Sequence, residues 1–583
     1  LLVRFDDLLE AGEAEEALRV ASAACFAAPD LAEPHYAYGQ AWLALGEAAK
    51  AERAFAAALQ RAPGSPDAWV YYGVARYRQG AVHDAIRATR QALTHAPDHQ
   101  AALANLGAFL RLNGDQEAAE QVLRAALDKA PDNAGARLNY VAELLQEEKA
   151  DEALSLLRQG GPPTGDLTAH RHWLLQVISL QLSLGYVVDA AADMAVFEAL
   201  GPVPQAMETL YQARKTSLAL AGGDRAAALA AAVGMEAALA TGNRAADPEQ
   251  QVVACMQLAR FWSRRNRSRA FGFWTQAHAR MKPFQPFSRA AHLAFLEANI
   301  ATFTEARFKD GPRAANDDPA PIFIVGMPRS GTTLCEQIVG AHTQAFAAGE
   351  RSALRDAFRR LAGGLDAAGI ERLAQRRQPG LDRAAAAYLE ELHALSPDSQ
   401  RIVDKMPGNT EVLALAGLML PGARIIHCVR DPRDIGFSIF TRRFIGHHPY
   451  AHDLADLGWT IGQSLRIMEH WKRVLPNPIL TLRMDDWVHD FDGTLARVLH
   501  HLDLPPDPGC ADFHKSTAPV KTASKWQVRE PVNARGLGRW KRYAAELAPL
   551  IAELDAAGAL AGWEDGAAAV APILGVDDIR ALE

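Results

Sequence analysis

No run of roughly eighteen uninterrupted apolar residues occurs in the chain, so no segment reads as a membrane-spanning helix. The alanine-rich stretch Ala226–Ala240 comes nearest, but Glu236 interrupts it and it reads as an ordinary amphipathic helix. Cysteine is scarce. The five (Cys25, Cys255, Cys335, Cys428, Cys510) are scattered and odd in number, with no pair at the spacing of a zinc site. That excludes a disulfide framework and leads us to expect a reducing compartment, hence a cytoplasmic location and no metal centre. Positive charge is not in excess either: the formal net charge is −8. General nucleic-acid binding is not expected, although a local basic cleft stays open. The first residues already carry Arg4, Asp6 and Asp7, which does not read as a secretory leader. With 583 residues the chain exceeds what one hydrophobic core can organise, and at least two domains are expected.

What the chain does have is a period. Ala-Pro recurs at Ala28-Pro29, Ala62-Pro63, Ala96-Pro97 and Ala130-Pro131, each 34 positions after the last. Gly12, Gly46, Gly80 and Gly114 keep the same spacing, as do Ala17, Ala51, Ala85 and Ala119, and a third series runs Gly39, Gly73, Gly107. Small residues let the two helices of a hairpin approach, a glycine serves the turn between them, and proline ends the second helix. Asp30, Asp98 and Asp132 follow their prolines and suit a helix N-terminus. The pattern resembles the tetratricopeptide repeat. A fifth unit decays, with Val141 and Glu148 in the glycine positions, though Ala153 survives. Beyond residue 164 the strict period is lost but helical spacing persists, as in Trp173, Leu174, Ile178 and Leu182, or Met256, Leu258, Phe261 and Trp262. These stripes read as core packing in degenerate helical repeats. A solenoid presents a concave face to a peptide or protein partner.

Lys309–Ala320 reads KDGPRAANDDPA, a break in apolar periodicity that predicts a linker. Ile322-Phe323-Ile324-Val325 then predicts a buried parallel strand. Gly326-Met-Pro-Arg-Ser-Gly331-Thr332-Thr333-Leu334 follows it and opens a helix. Strand, glycine loop and helix N-terminus make a phosphate cradle. The glycine spacing equals that of the nucleotide triphosphatase loop, but Thr332 stands where that loop has its lysine, which argues against transfer of a γ-phosphoryl group. Further strands are expected at Ile425–Val429, ending in Arg430-Asp431-Pro432-Arg433-Asp434, and at Val403–Lys405. Ligands in open α/β sheets sit at such carboxyl ends.

The run Gly-x-Pro-Arg-Ser-Gly-Thr-Thr-Leu resembles the 5′-phosphosulfate loop of sulfotransferases that use 3′-phosphoadenosine-5′-phosphosulfate (PAPS), in particular the tyrosylprotein sulfotransferases and bacterial sulfotransferases with N-terminal tetratricopeptide repeats. With the periodicity and the linker, the expected fold is a tetratricopeptide-repeat all-α solenoid over 1–163, degenerate helical repeats extending it over 164–308, a linker over 309–320 and a domain over 321–583, which the resemblance, covering about 321–543 and the repeats, implies is an α/β, P-loop-like sulfotransferase domain with a central parallel sheet. The resemblance also implies that Arg329, Ser330, Gly331, Thr332 and Thr333 hold the 5′-phosphosulfate of PAPS, and that Arg430 and Ser438 hold its 3′-phosphate. Lys405 would stabilise charge on the leaving oxygen, and Glu350 would be the base that deprotonates the acceptor. Lys521 to Asn533, followed by Gly538-Arg539-Trp540, resembles the cofactor-covering segment, which adds Ser524 and Arg539. His342 and His427 are rival bases. One departure is Met484, where related chains often have tyrosine. Peptide tyrosine, glycan and small-molecule hydroxyl or amine acceptors all remain open. So do two alternatives: a pseudoenzyme working as a repeat-based interaction module, and a kinase-like domain with a degenerate loop.

Overall fold

A computed structural model describes residues 2–10, 13–113, 115–146, 149–163, 165, 167–240, 248–444, 448–515 and 529–563. The chain divides into two compact units, one running to Pro286 together with Arg443–Pro449, the other beginning at Phe287.

The first unit is helical hairpins, and the 34-residue series explain its packing. In the hairpin Ala32–Ala44 and Ala48–Arg61, a Cβ at Gly39 would lie 2.6 Å from the Phe55 ring. In the hairpin of Gln100–Leu112 with Gln116–Lys129, one at Gly107 would lie 2.5 Å from Leu123. Any side chain at these positions would push the paired helices apart. Ala17, Ala51, Ala85, Ala119 and Ala153 are fully buried for the same reason. Gly46 and Gly80 turn each hairpin at φ +75° and +84°. Gly12, Gly114 and Glu148 lie outside the described residues. The helix caps differ from expectation by one position. Ser65, His99 and Asn133, not the residues directly after the prolines, accept hydrogen bonds from the amides of Ala68, Ala102 and Ala136. Asp98 instead pairs with Lys129. Two residues are needed to turn the chain after each proline, and the cap is the second of them.

Six further helices, from Leu167–Ser183 to Arg267–Met281, continue this unit. Leu174, Ile178 and Leu182 pack with Phe197 and Tyr211, so this apolar stripe is core. Leu258, Phe261 and Trp262 are buried too.

The second unit is built on five parallel strands: β1 (Pro321–Gly326), β2 (Ala345–Ala347), β3 (Arg401–Lys405), β4 (Arg424–Val429) and β5 (Ile479–Arg483). Their order is β2-β3-β1-β4-β5, and every pairing is parallel. Alternate residues of β1 enter two cores. Phe323 and Val325 join Phe358, Leu413 and Trp471 on one face, and Ile322 and Ile324 join Ile338, Val403, Ile426 and Trp487 on the other. Burial on both faces is why β1 reads as an unbroken apolar run rather than an alternating one. The chain leaves β1 for β2 and β3 on one side, then crosses to β4 and β5 on the other. Such a reversal opens a crevice at the strands' carboxyl ends.

Helices Arg289–Thr302 and Glu305–Asp310 belong to this second unit. Phe295, Leu296 and Phe308 of these helices, and Phe303 between them, pack into the Phe323 core, whereas sequence spacing groups residues up to 308 with the repeats. Helical periodicity marks an apolar stripe but does not say which core it faces. Among the described residues no helix is long and apolar enough to cross a membrane. All five cysteines are free thiols.

Candidate active site

The loop that leaves β1 is wound tightly by three residues at positive φ: Gly326 (+146°), Arg329 (+73°) and Gly331 (+104°). A Cβ at Gly326 would sit 2.4 Å from the Cys428 carbonyl oxygen of β4, so only glycine lets the two strand ends lie this close. Arg329 is the exception among them. A residue with a Cβ held at φ +73° costs on the order of 1–3 kcal/mol, and such positions cluster at functional sites. The helix Thr332–Gly340 starts directly after Gly331, with Ser330, Thr332 and Thr333 buried. The Ser330 hydroxyl oxygen has no partner. A helix N-terminus carrying a buried, unsatisfied hydroxyl suits an anion. Met484 lies beneath this loop: a Cβ on Gly331 would come within 2.9 Å of its sulfur. The substituted position thus supports the loop's glycine.

Arg329 turns its side chain inward. Its Nε donates to Ser438 Oγ at 3.0 Å, and its carbonyl accepts from Arg430 Nη1 at 3.3 Å. The first loop and the β4 turn are therefore tied through one residue. Ser438 lies on the helix Pro432–Phe440, which the Asp431 side chain caps by accepting from the Arg433 amide. Burial holds the Arg329 guanidinium well below its ordinary pKa, and Arg442, Arg430 and Arg539 push the same way. The buried Arg329 thus meets three like charges, with Arg430 and Arg442 partly buried and Arg539 exposed, an arrangement that an anion would relieve. Arg430 Nε is also buried without a partner.

Asp434 carries the other side of this cluster. It is 1% exposed, accepts from the Gly538 and Trp540 amides at 2.6 and 3.1 Å, and lies 3.6 Å from Arg430. Burial raises its carboxyl and Arg430 opposes that rise. Asp434 thereby pins the turn that presents Arg539 beside Arg430. Ser524 falls outside the described residues.

Lys405 ends β3 with its side chain fully buried. Its Nζ donates to Glu350 Oε1 at 2.6 Å and lies 3.5 Å from Glu336 Oε2. Glu350 sits on the loop after β2, whose backbone is stitched to β3: Ala348 N donates to the Val403 carbonyl and Lys405 N to the Gly349 carbonyl. The preceding residue, Asp404, points into the Phe323 core, where Tyr388 donates to it at 2.7 Å. Burial raises the Asp404 carboxyl to about 7.

The rival histidines are accounted for by their surroundings. His342 is buried with Nε2 on the Pro505 carbonyl and Nδ1 accepting from the Gln344 amide, which uses both nitrogens structurally. His427 lies inside β4, where burial lowers it to about 3 and removes it as a base at neutral pH. Two residues of the site had no role in the sequence reading: Glu336, which faces Lys405, and Asp434, which anchors the Arg539 turn. The available signal for Glu336 was a lone carboxylate flanked by Leu334, Cys335, Ile338 and Val339.

Comparison with known proteins bears on the same region. The model of the sulfotransferase family matches residues 321–508, and that of the tetratricopeptide repeat matches 2–66, 43–89 and 73–134. An uncharacterized protein of Aquifex aeolicus (strain VF5) is 30% identical over 297 residues, 49% of this chain and 39% of that protein, so the chain spans about two fifths of that relative. A putative protein-tyrosine sulfotransferase of Caenorhabditis briggsae is 23% identical over 231 residues, 38% of this chain and 80% of that one. The solved sulfotransferase domain from the Synechococcus PCC 7002 olefin synthase is 19% identical, covering 42% of this chain and 96% of that chain with a TM-score of 0.31. The chain thus carries tetratricopeptide repeats and, over residues 321–508, a match to the sulfotransferase family that takes in β1, its loop, Lys405 and Arg430, while Arg539 lies beyond the match.

Proposed function

We propose that this chain is a PAPS-dependent sulfotransferase acting on an acceptor hydroxyl or amine. The observation that carries the reading is the meeting of an unsatisfied anion cradle with a buried lysine held by an exposed carboxylate at the carboxyl ends of neighbouring strands. The fit to PAPS rests on the unpartnered Ser330 hydroxyl, the unpartnered Arg430 Nε and the like charges that face the buried Arg329. Arg329, Ser330, Thr332, Thr333 and the loop backbone around Gly331 would hold the 5′-phosphosulfate. Arg430 and Ser438, with Arg539 nearby and Arg329 bridging, would hold the 3′-phosphate. When bound, PAPS supplies the sulfuryl group, which forms a bond to the acceptor oxygen or nitrogen as the bridging S–O bond breaks. Glu350 takes the acceptor proton, and Lys405 stabilises the electron pair left on the departing oxygen. The cations of the chain neutralise the charge, so the reading calls for no metal. A peptide tyrosine is one acceptor to screen first, since a repeat solenoid suits a macromolecular substrate. A reducing, cytoplasmic setting fits the free thiols.

Titrating the full chain with 3′-phosphoadenosine-5′-phosphate (PAP) and, separately, with Mg-ATP tests the reading. Tight PAP binding with little affinity for Mg-ATP is expected. A preference for ATP would move the domain towards phosphoryl transfer, and no binding of either would leave the repeats as its working part.

Arg430 gives a sharper check. Charge-assisted hydrogen bonds contribute about 1.5–3 kcal/mol, so Arg430→Ala should weaken PAP roughly 10- to 100-fold. Binding of adenosine 5′-phosphosulfate, which lacks the 3′-phosphate, should barely change. Equal losses for both nucleotides, measured by calorimetry, would contradict the 3′-phosphate assignment.

A further inference from the structure

Lys405 stands between two carboxylates, and they differ in kind. Glu350 is on a loop with its side chain 39% exposed, whereas the side chain of Glu336 is 3% exposed on the helix that follows the phosphate cradle. Glu336 is four residues after Thr332, so the two share a helix face. Burial raises the Glu336 carboxyl, opposed by the Lys405 ammonium and the Gly349 amide. Its Oε1 is buried without a partner.

Glu350 holds Lys405 through Oε1 from an exposed loop position, so a carboxylate that turns to an arriving acceptor gives up this hydrogen bond. Lys405 is fully buried, and a buried ammonium without an anion either loses its proton or leaves the site. Glu336 is placed to prevent that.

Resting on the sulfotransferase reading, we propose that Glu336 is a positioning residue that retains the Lys405 ammonium at the end of β3 while Glu350 releases it to accept the acceptor's proton. Lys405 is then a shared cation: one carboxylate is exchangeable and the other permanent. Because Glu336 rides on the helix whose N-terminus forms the cradle, it also fixes the lysine's distance from the bound anion.

The test reads Lys405 directly, without nucleotide. Full-length chains carrying Glu350→Ala, Glu336→Gln or both are treated with acetic anhydride, and acetylation at Lys405 is followed by peptide mass spectrometry. Glu350→Ala should label within about twofold of the unaltered chain, and the double variant at least tenfold faster, since only then is the buried amine left without a carboxylate. Glu336→Asp in the Glu350→Ala background keeps the charge and should restore slow labelling. Rapid labelling of Glu350→Ala alone would overturn the proposal. Should the double variant fail to fold, Glu336→Gln decides by itself. Its kcat for labelled-sulfate release from PAPS should fall at least tenfold while PAP affinity stays within about threefold. Unchanged kcat, or kcat and PAP affinity lost together, would overturn the positioning role. An unaltered chain that binds no PAP would instead end the sulfotransferase reading, whatever the acetylation rates.

Discussion

Glu350→Gln will bind PAP as the unaltered chain does and transfer the sulfuryl group about 10²–10⁴-fold more slowly, the range that a positioned general base contributes. The substitution keeps the side chain's shape and an oxygen that can still accept from Lys405, so the 2.6 Å contact has a substitute and the loop after β2 has no reason to move. What it removes is the ability to take a proton. Glu350 is the one carboxylate of the Lys405 cluster with substantial exposure, which an acceptor arriving from solvent requires. The measurement is labelled-sulfate transfer beside PAP calorimetry on the same preparation. Full turnover would remove Glu350 as the base. Neither histidine could inherit the role, His342 because both nitrogens are engaged and His427 because it is sealed within β4.

Lys405→Met should be nearly as severe. Loss of one fixed donor aimed at developing oxyanion charge costs about 10²–10³ in turnover. Methionine fills the lysine's space within the buried end of β3, so the sheet should hold its register. Two consequences separate this variant from Glu350→Gln. PAP lacks the sulfuryl group, so its affinity should change only a few-fold. Stability should also respond, because Glu336 is left buried without its counter-charge, an omission that costs roughly 3–5 kcal/mol unless the carboxyl takes up a proton. Glu336 already sits above its ordinary pKa, and without the lysine it rises further. The melting temperature of Lys405→Met should therefore be closest to that of the unaltered chain at low pH, where Glu336 is protonated and uncharged, and fall behind it as pH rises and the unpaired carboxylate ionises. A variant with normal turnover would dissociate Lys405 from the chemistry. One whose stability deficit is independent of pH would show that Glu336 does not depend on it.

Much of this was legible because it is local. The 34-residue series is visible since each glycine or alanine answers to a partner one helix away, as Gly39 does to Phe55 and Gly107 to Leu123. The buried strand Ile322–Val325 and the cradle after it are equally local, because a doubly covered strand must be apolar throughout and a loop at positive φ selects glycine. The pairing of Lys405 with Glu350 was within reach only through family resemblance, since 55 residues separate them.

The inward turn of Arg329 onto Ser438, the clasp of Asp434 on the Gly538–Trp540 turn and the second carboxylate on Lys405 were not legible. Nor was the allegiance of Arg289–Thr302 to the sheet's core. By itself the sequence determined the repeats, the apolar strand Ile322–Val325 and the glycine loop after it, because periodicity and backbone conformation are properties of neighbours along the chain. Tertiary structure alone decided which charges share a buried space. That depends on where crossover connections bring β1, β3 and β4 together, and the energy of a buried charge is set by whatever stands within a few ångströms of it, however distant in sequence.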